Sequence, residues 1–170
     1  MNGIRYDINP LWKFLLDRFG LGDAFNFFSP FAGAGIKVKV KDRHTIESSM
    51  DLSLTNTNYV EGAHFGGSLY SMCDPFYMFL LMDHLGPDYI VWDKSAQIEF
   101  LRPGRGTVRA VFHIPSEELD RIRKTVADTR KMNWTASCEI LDEDGKQVAR
   151  IQKILYVRSK IRTKHTDEAA

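Results

Sequence analysis

Apolar and polar positions alternate in two periods along this chain, and the switches between them outline the elements. Trp12, Leu15, Leu16 and Phe19 stand at helical spacing; Asn9 is expected to cap that helix, Pro10 to take its first position and Gly20 to end it. FNFFSPFAGAG (25–35) follows with four phenylalanines and reads as a loop folded over the core, with a wall for an apolar ligand as the sharper alternative. In IKVKVKD (36–42) Ile36, Val38 and Val40 alternate with Lys37, Lys39 and Lys41, the pattern of a strand wet on one side. In TIESSMDLSL (45–54) Ile46, Met50, Leu52 and Leu54 share a face with Ser48.

From Phe65 to Leu85 the period becomes helical. Leu69, Met72, Phe76, Phe79 and Leu80 trace a stripe that Cys73, Tyr77, Leu81 and Met82 widen, so this helix is expected to be buried on most sides, with Gly86 and Pro87 stopping it. Alternation then returns. Ile90, Trp92, Ala96, Ile98 and Phe100 are expected on one face of a long strand with Lys94 as the exception, and Val108, Ala110, Phe112 and Ile114 form the next after the turn RPGRG. Ser116 is expected to cap a short helix through Leu119, Ile122 and Val126. Trp134, Ala136, Cys138 and Ile140 give another strand, and Asp144-Gly145 turns into a last one ending near Val157. The pattern predicts an α+β protein, an antiparallel sheet wrapped around one long central helix. Residues 1–33 form an N-terminal helix and Phe-rich loop packing on the domain, 34–157 the domain itself, and 158–170 a tail expected to fray.

Composition narrows the function. The 170 residues suffice for one domain with a real core, 44% of them hydrophobic and 26% charged. A net charge of +1 argues against a nucleic-acid partner. The run PFYMFLLM (75–82) is too short for a membrane span, and the N-terminus carries Lys13, Asp17 and Arg18 where a signal peptide would be apolar, so the expected location is the cytoplasm. Cys73 and Cys138 read as small core residues. The five histidines have no metal-ligand spacing, no Gly-rich phosphate loop is present, and GGSLY lacks the second glycine of a nucleophile elbow.

The segment HFGGSLYSMCDP (64–75) asks the main question, because it sets Asp74 among Met72, Cys73, Pro75 and Phe76. A buried carboxylate must be paired, hydrogen-bonded or neutralised. Asp74 is therefore either a cap for a helix beginning at Pro75 or a reacting group whose basicity burial raises. Gly66-Gly67 is either close packing or a pair of accessible N–H groups at a helix start. His64 and Asn58 are either loop and turn residues or members of a site.

Asn58, His64, Gly66-Gly67 and Asp74 resemble the Asn…His-Gly-Gly…Asp pattern of hotdog acyl-CoA thioesterases of the phenylacetate-degradation type. FGGSLYSMCDP, YIVWDKSA and FLRPGRG are similar to a subset of hotdog proteins without assigned function, over about residues 33–157. The thioesterases read His-Gly-Gly where this chain reads His-Phe-Gly-Gly, with Phe65 inserted. The resemblance implies a hotdog fold, a homodimer joined sheet edge to sheet edge (or a dimer of such dimers) with sites at the subunit interface, and hydrolysis of an acyl thioester. It makes Asp74 general base or nucleophile, Gly66 and Gly67 donors to the carbonyl, and His64 and Asn58 orienting groups. Arg102, Arg105, Trp92 and Phe65 become substrate contacts, with Lys94 and Arg158 as further cations. No cofactor is implied beyond coenzyme A as part of the substrate. The alternative is a non-catalytic binder of acyl-CoA or fatty acyl ligands.

Overall fold

The computed structural model describes residues 10–59 and 62–160; Asn9 and tail residues 161–170 lie outside them. Helices α1 (Pro10–Asn26) and α2 (Ser29–Ala34) precede strands β1 (Ile36–Asp42) and β2 (Thr45–Asp51). Helices α3 (Gly66–Ser71) and α4 (Phe76–Leu85) follow, then β3 (Tyr89–Phe100), β4 (Thr107–His113), α5 (Ser116–Thr129), β5 (Lys131–Leu141) and β6 (Gln147–Ser159). The six strands make one sheet in the order β1-β2-β4-β5-β6-β3, with every neighbouring pair antiparallel. Its inner face and α4 share one hydrophobic core, in which Phe76, Leu81, Phe112, Ile140 and Ile151 are fully buried. Burying each such side chain contributes roughly 1.5–3 kcal/mol.

Several elements differ from the sequence pattern for identifiable reasons. Gly20, at φ 78°, interrupts α1, but the helix resumes and runs on to Asn26. Part of the Phe-rich stretch is helical, since Pro30 suits the first turn of α2 and Gly35 closes it in the left-handed region. Phe25 and Phe31 pack on Phe76, with ring centroids 5.8 and 6.0 Å away. Strand β2 stops at Asp51, leaving Leu54 96% exposed. Pro115, not Ser116, holds the cap position of α5, and it makes no side-chain cap.

The central helix is broken in two. Residues 72–75 leave the helical ladder, and α4 starts from Pro75, which cannot donate to it. A broken helix inside a core leaves carbonyls to satisfy, and two polar side chains on the sheet's inner face do so. The Ser48 hydroxyl donates to the Met72 carbonyl at 2.6 Å, and the Lys153 ammonium donates to the Asp74 carbonyl.

The long strand β3 carries a bulge between Asp93 and Ser95, so Lys94 is an extra residue. One inserted residue moves all that follow to the opposite face relative to those before. Ala96, Ile98 and Phe100, opposite Lys153, Ile151 and Ala149, therefore share the inner face with Val91 and Asp93, not with Ile90 and Trp92. Trp92 instead stacks on Tyr156 on the outer side, ring centroids 5.2 Å apart.

Candidate functional site

The loop after β2 returns through a bridge between Thr57 and His64 and enters α3 at Phe65, whose N–H donates to the Asn56 carbonyl at 2.6 Å. Asn56 is buried: its amide donates to the Ala34 and Asp51 carbonyls, and its oxygen accepts from Ser53 N–H, fixing the loop from inside. The turn between β3 and β4 lies against this loop. His64 N–H donates to the Gly104 carbonyl at 2.9 Å, and a side chain at Gly104 would run into Val148 at 2.9 Å.

These segments frame a cleft of about 420 Å³ lined by Asn58, Ala63, His64, Gly66, Leu69, Phe100, Leu101, Arg102, Pro103 and Gly104. Gly66 stands at its edge in close contact with Phe100, to whose ring an added Cβ would come within 3.0 Å. A Cβ at Gly67 would clash with the ring of Phe65, itself largely exposed. The first N–H groups of a helix have no acceptor within it; Gly66 lines the cleft, and Gly67 does not. His64 is buried, its Nε2 bonded to the Gly106 carbonyl at 2.9 Å, while Nδ1 is buried without a partner among the described residues. That makes Nε2 the protonated nitrogen and Nδ1 a bare acceptor. Burial holds the imidazole below its ordinary value and outweighs the Gly106 bond, so the ring is neutral at pH 7.

Arg102 lines the cleft, but its guanidinium is engaged. It donates to the Gln147 and Lys146 carbonyls at 2.9 and 2.8 Å and pairs with Asp142 at 2.5 Å, pinning the β5–β6 turn. Arg105 is exposed on the same turn. Lys94 and Arg158 are exposed on β3 and β6.

Asp74 does not line this cleft and does not cap α4, which has no side-chain cap. Its side chain is 46% exposed, so the expectation of a deeply buried carboxylate gives way to a different arrangement. The charge sealed from water is that of Lys153, 1% exposed on the inner face of β6. Its ammonium lies 2.9 Å from Asp74 Oδ1 and 2.9 Å from Asp93 Oδ2. Tyr70, one turn before Asp74, donates its hydroxyl to the same Oδ1 at 2.7 Å. Burial, then the bond to Asp74, pushes the Tyr70 hydroxyl above its ordinary value and keeps it a donor. Burial raises Asp93 against the pull of Lys153, the Asp74 charge adds to the rise, and Asp93 Oδ1 has no partner among the described residues. Cys73 is buried beside Cys138; burial, then that neighbour, pushes its thiol well up and leaves it inert.

The structure thus gathers Asn58, His64 and Gly66 at one cleft and places Asp74 in a second cluster with Tyr70, Lys153 and Asp93. Lys153 had a signal in the sequence: it breaks the apolar phase Ala149-Ile151-Leu155-Val157 of β6. A further hollow of about 590 Å³ lies where β4 and β5 part, lined by Glu47, Arg109, Glu139, Asp142 and Arg150 among others, and holds none of the candidate residues.

Residues 22–157 match the family described as a domain of unknown function, DUF4442. The chain belongs to this family. No curated protein matches the DUF4442 chain. Among solved structures it is similar to a Pseudomonas aeruginosa protein of unknown function described as a probable thioesterase. That likeness has 17% identity and TM-score 0.67, covering 82% of this chain and 97% of the other. It is also similar to a Haemophilus influenzae thioesterase, with 16% identity and TM-score 0.58 over 85% and 95% of the two chains. The Escherichia coli PaaI protein of the phenylacetic acid degradation operon matches with 17% identity and TM-score 0.54 over 81% and 88%. These likenesses establish the hotdog fold for the DUF4442 chain. No helix among its described residues is long and apolar enough to cross a membrane.

Proposed function

We propose that this DUF4442 protein is a cytoplasmic homodimer that hydrolyses an acyl-CoA or related acyl thioester. The observation that carries the reading is the state of Asp74. A half-exposed carboxylate at the helix break is gripped through Oδ1 by Tyr70 and Lys153, and no described group bonds Oδ2. Oδ2 either takes a proton from the attacking water or attacks the thioester carbon itself, forming an anhydride that water then hydrolyses; on either route the C–S bond breaks and the thiol leaves as thiolate, taking a proton from water. The Gly66 and Gly67 N–H groups donate to the carbonyl oxygen as it gains charge, a contact typically worth about 3–4 kcal/mol in the transition state. The acyl group lies along Leu69, Phe100 and Leu101, with Phe65 at its edge and Asn58 and neutral His64 behind the carbonyl. Arg105, exposed on the turn beside the cleft, is the cation we assign to the phosphates of coenzyme A, which enters as part of the substrate.

Within one chain Asp74 and the Gly66 cleft do not share a wall, and the dimer supplies the missing geometry. Strand β3 is a 12-residue edge strand whose second side no described element pairs. Antiparallel pairing of two such edges brings Asp74 of one protomer to the Gly66 cleft of its partner. The same separation is the observation that favours the second reading, a binder of acyl-CoA without turnover.

Release of free thiol from short, long and aromatic acyl-CoAs separates the two. Turnover by the wild type is expected, with kcat falling about 10²- to 10⁴-fold in Asp74→Asn, which keeps the side chain's shape. Saturable binding of acyl-CoA with no turnover on any substrate leaves the binder.

A further inference from the structure

Lys153 is a charged group sealed inside the core, and the hydrolysis proposed above uses its bond to Asp74 without giving it a part in turnover. Its three N–H groups meet three acceptors: the Asp74 carbonyl, Asp74 Oδ1 and Asp93 Oδ2. Sealing an ammonium from water costs about several kcal/mol, so a lysine here needs a reason that a neutral donor would not serve. Satisfying the broken helix is not that reason. On the same inner face the neutral hydroxyl of Ser48 serves the Met72 carbonyl at 2.6 Å. The feature that distinguishes Lys153 is the carboxylate it holds.

That hold is directional. Tyr70 reaches Oδ1 from α3, and Lys153 reaches the same oxygen from β6. Rotation of the carboxylate would break both bonds, so Oδ2 has a fixed direction. Asp93 fixes the ammonium in turn, and it can do so because the bulge at Lys94 sets the inner face of β3 at that point. The Tyr70 ring also lies 5.9 Å from the ammonium, which leaves Lys153 enclosed on that side.

We propose that Lys153 is a positioning residue for Asp74. With Tyr70 it clamps Oδ1 and presents Oδ2 alone to the thioester or its water, and Asp93 anchors the ammonium from the far side. This rests on the reading of Asp74 as the reacting carboxylate. Lys153 does not touch substrate, and no bond to it forms or breaks.

Lys153→Met alone leaves the half-buried Asp93 without its cation, and that variant can fail to fold. The double variant Lys153→Met/Asp93→Asn removes both charges and is the one to measure. On an acyl-CoA that the wild type cleaves, it is expected to keep KM within about twofold and to lose kcat about 10- to 100-fold, the cost of a misdirected reacting group. Tyr70→Phe should lower kcat in the same way, and the combined loss should be less than the product, because both groups hold one oxygen. Wild-type kcat in the folded double variant overturns the proposal, as does a change confined to KM. If the wild type cleaves no thioester, the reading of Asp74 fails, and the positioning claim is decided separately by the crystal structure of the double variant. A rotated or two-conformer Asp74 carboxylate supports it; the single wild-type orientation overturns it.

Discussion

Gly66 is the residue at which close packing and chemistry can be told apart. An added Cβ meets Phe100, so Gly66→Ala measures the clash while keeping the N–H. Gly66→Pro adds the same Cβ and removes the N–H, and proline is tolerated at the first helical position after an extended Phe65 (φ −63°, ψ 128°). Proline is expected to cost about 10²- to 10³-fold more in kcat than alanine if the N–H holds the oxyanion; equal losses would make packing the whole role. His64 gives a pH signature. Its folded value lies below its unfolded one, so the unfolded chain binds more protons and stability falls as pH drops through the unfolded value of about 6.5. Thermal denaturation between pH 7.5 and about 5 should show this slope flattened in His64→Gln, whose amide can still donate to Gly106. Asp74 was legible in the sequence as an odd carboxylate among apolar residues. Its counter-charge was not, because Lys153 lies 79 positions away and only the packing of the helix break against β6 brings the two together.

At the scale of elements, the order of helices and strands was readable from hydrophobic period, since each strand buries one face and α4 buries most of its surface. Two irregularities were harder to read. The helix break lies inside a continuous apolar stripe, where Pro75 offered it only as an alternative helix start, and its marks elsewhere in the chain are polar residues at inward phases, Ser48 and Lys153. Ser48→Ala should cost about 1–3 kcal/mol, because the Met72 carbonyl then stays buried without a donor. The bulge at Lys94 misled the reading of β3, because unbroken alternation puts Trp92 with Ile98, and the inserted residue reverses that. Deleting Lys94 forces either Asp93 or the run Ala96–Phe100 off the inner face. Loss of Asp93 leaves Lys153 short of a counter-charge, so urea unfolding should show a deficit of about 3 kcal/mol or more.

Across the whole molecule, the two edges of the sheet are treated differently. Edge strand β1 lies against α1, whose Asn26 side chain accepts the Val38 N–H at 2.8 Å, and its exposed positions are all charged, Lys37, Lys39, Lys41 and Asp42. Both devices discourage pairing with another chain. Strand β3 carries 12 residues with exposed Trp92 and Phe100 and, among the described residues, no covering strand. Sedimentation should therefore report the mass of two chains. On the proposed reading the division of candidate residues between two places follows from the same asymmetry: a single chain holds Asp74 and the Gly66 cleft apart, and the paired edges would bring them together. The measurement that tests this most directly is subunit mixing. Asp74→Asn and Gly66→Pro, each inactive alone as a homodimer, are unfolded, refolded together and assayed for thiol release from an acyl-CoA that the wild type cleaves. Random pairing makes half of the dimers mixed, each with one intact site, so activity should return to about a quarter of the wild-type rate. No recovery in mixtures that demonstrably contain the mixed dimer would contradict a site shared between subunits.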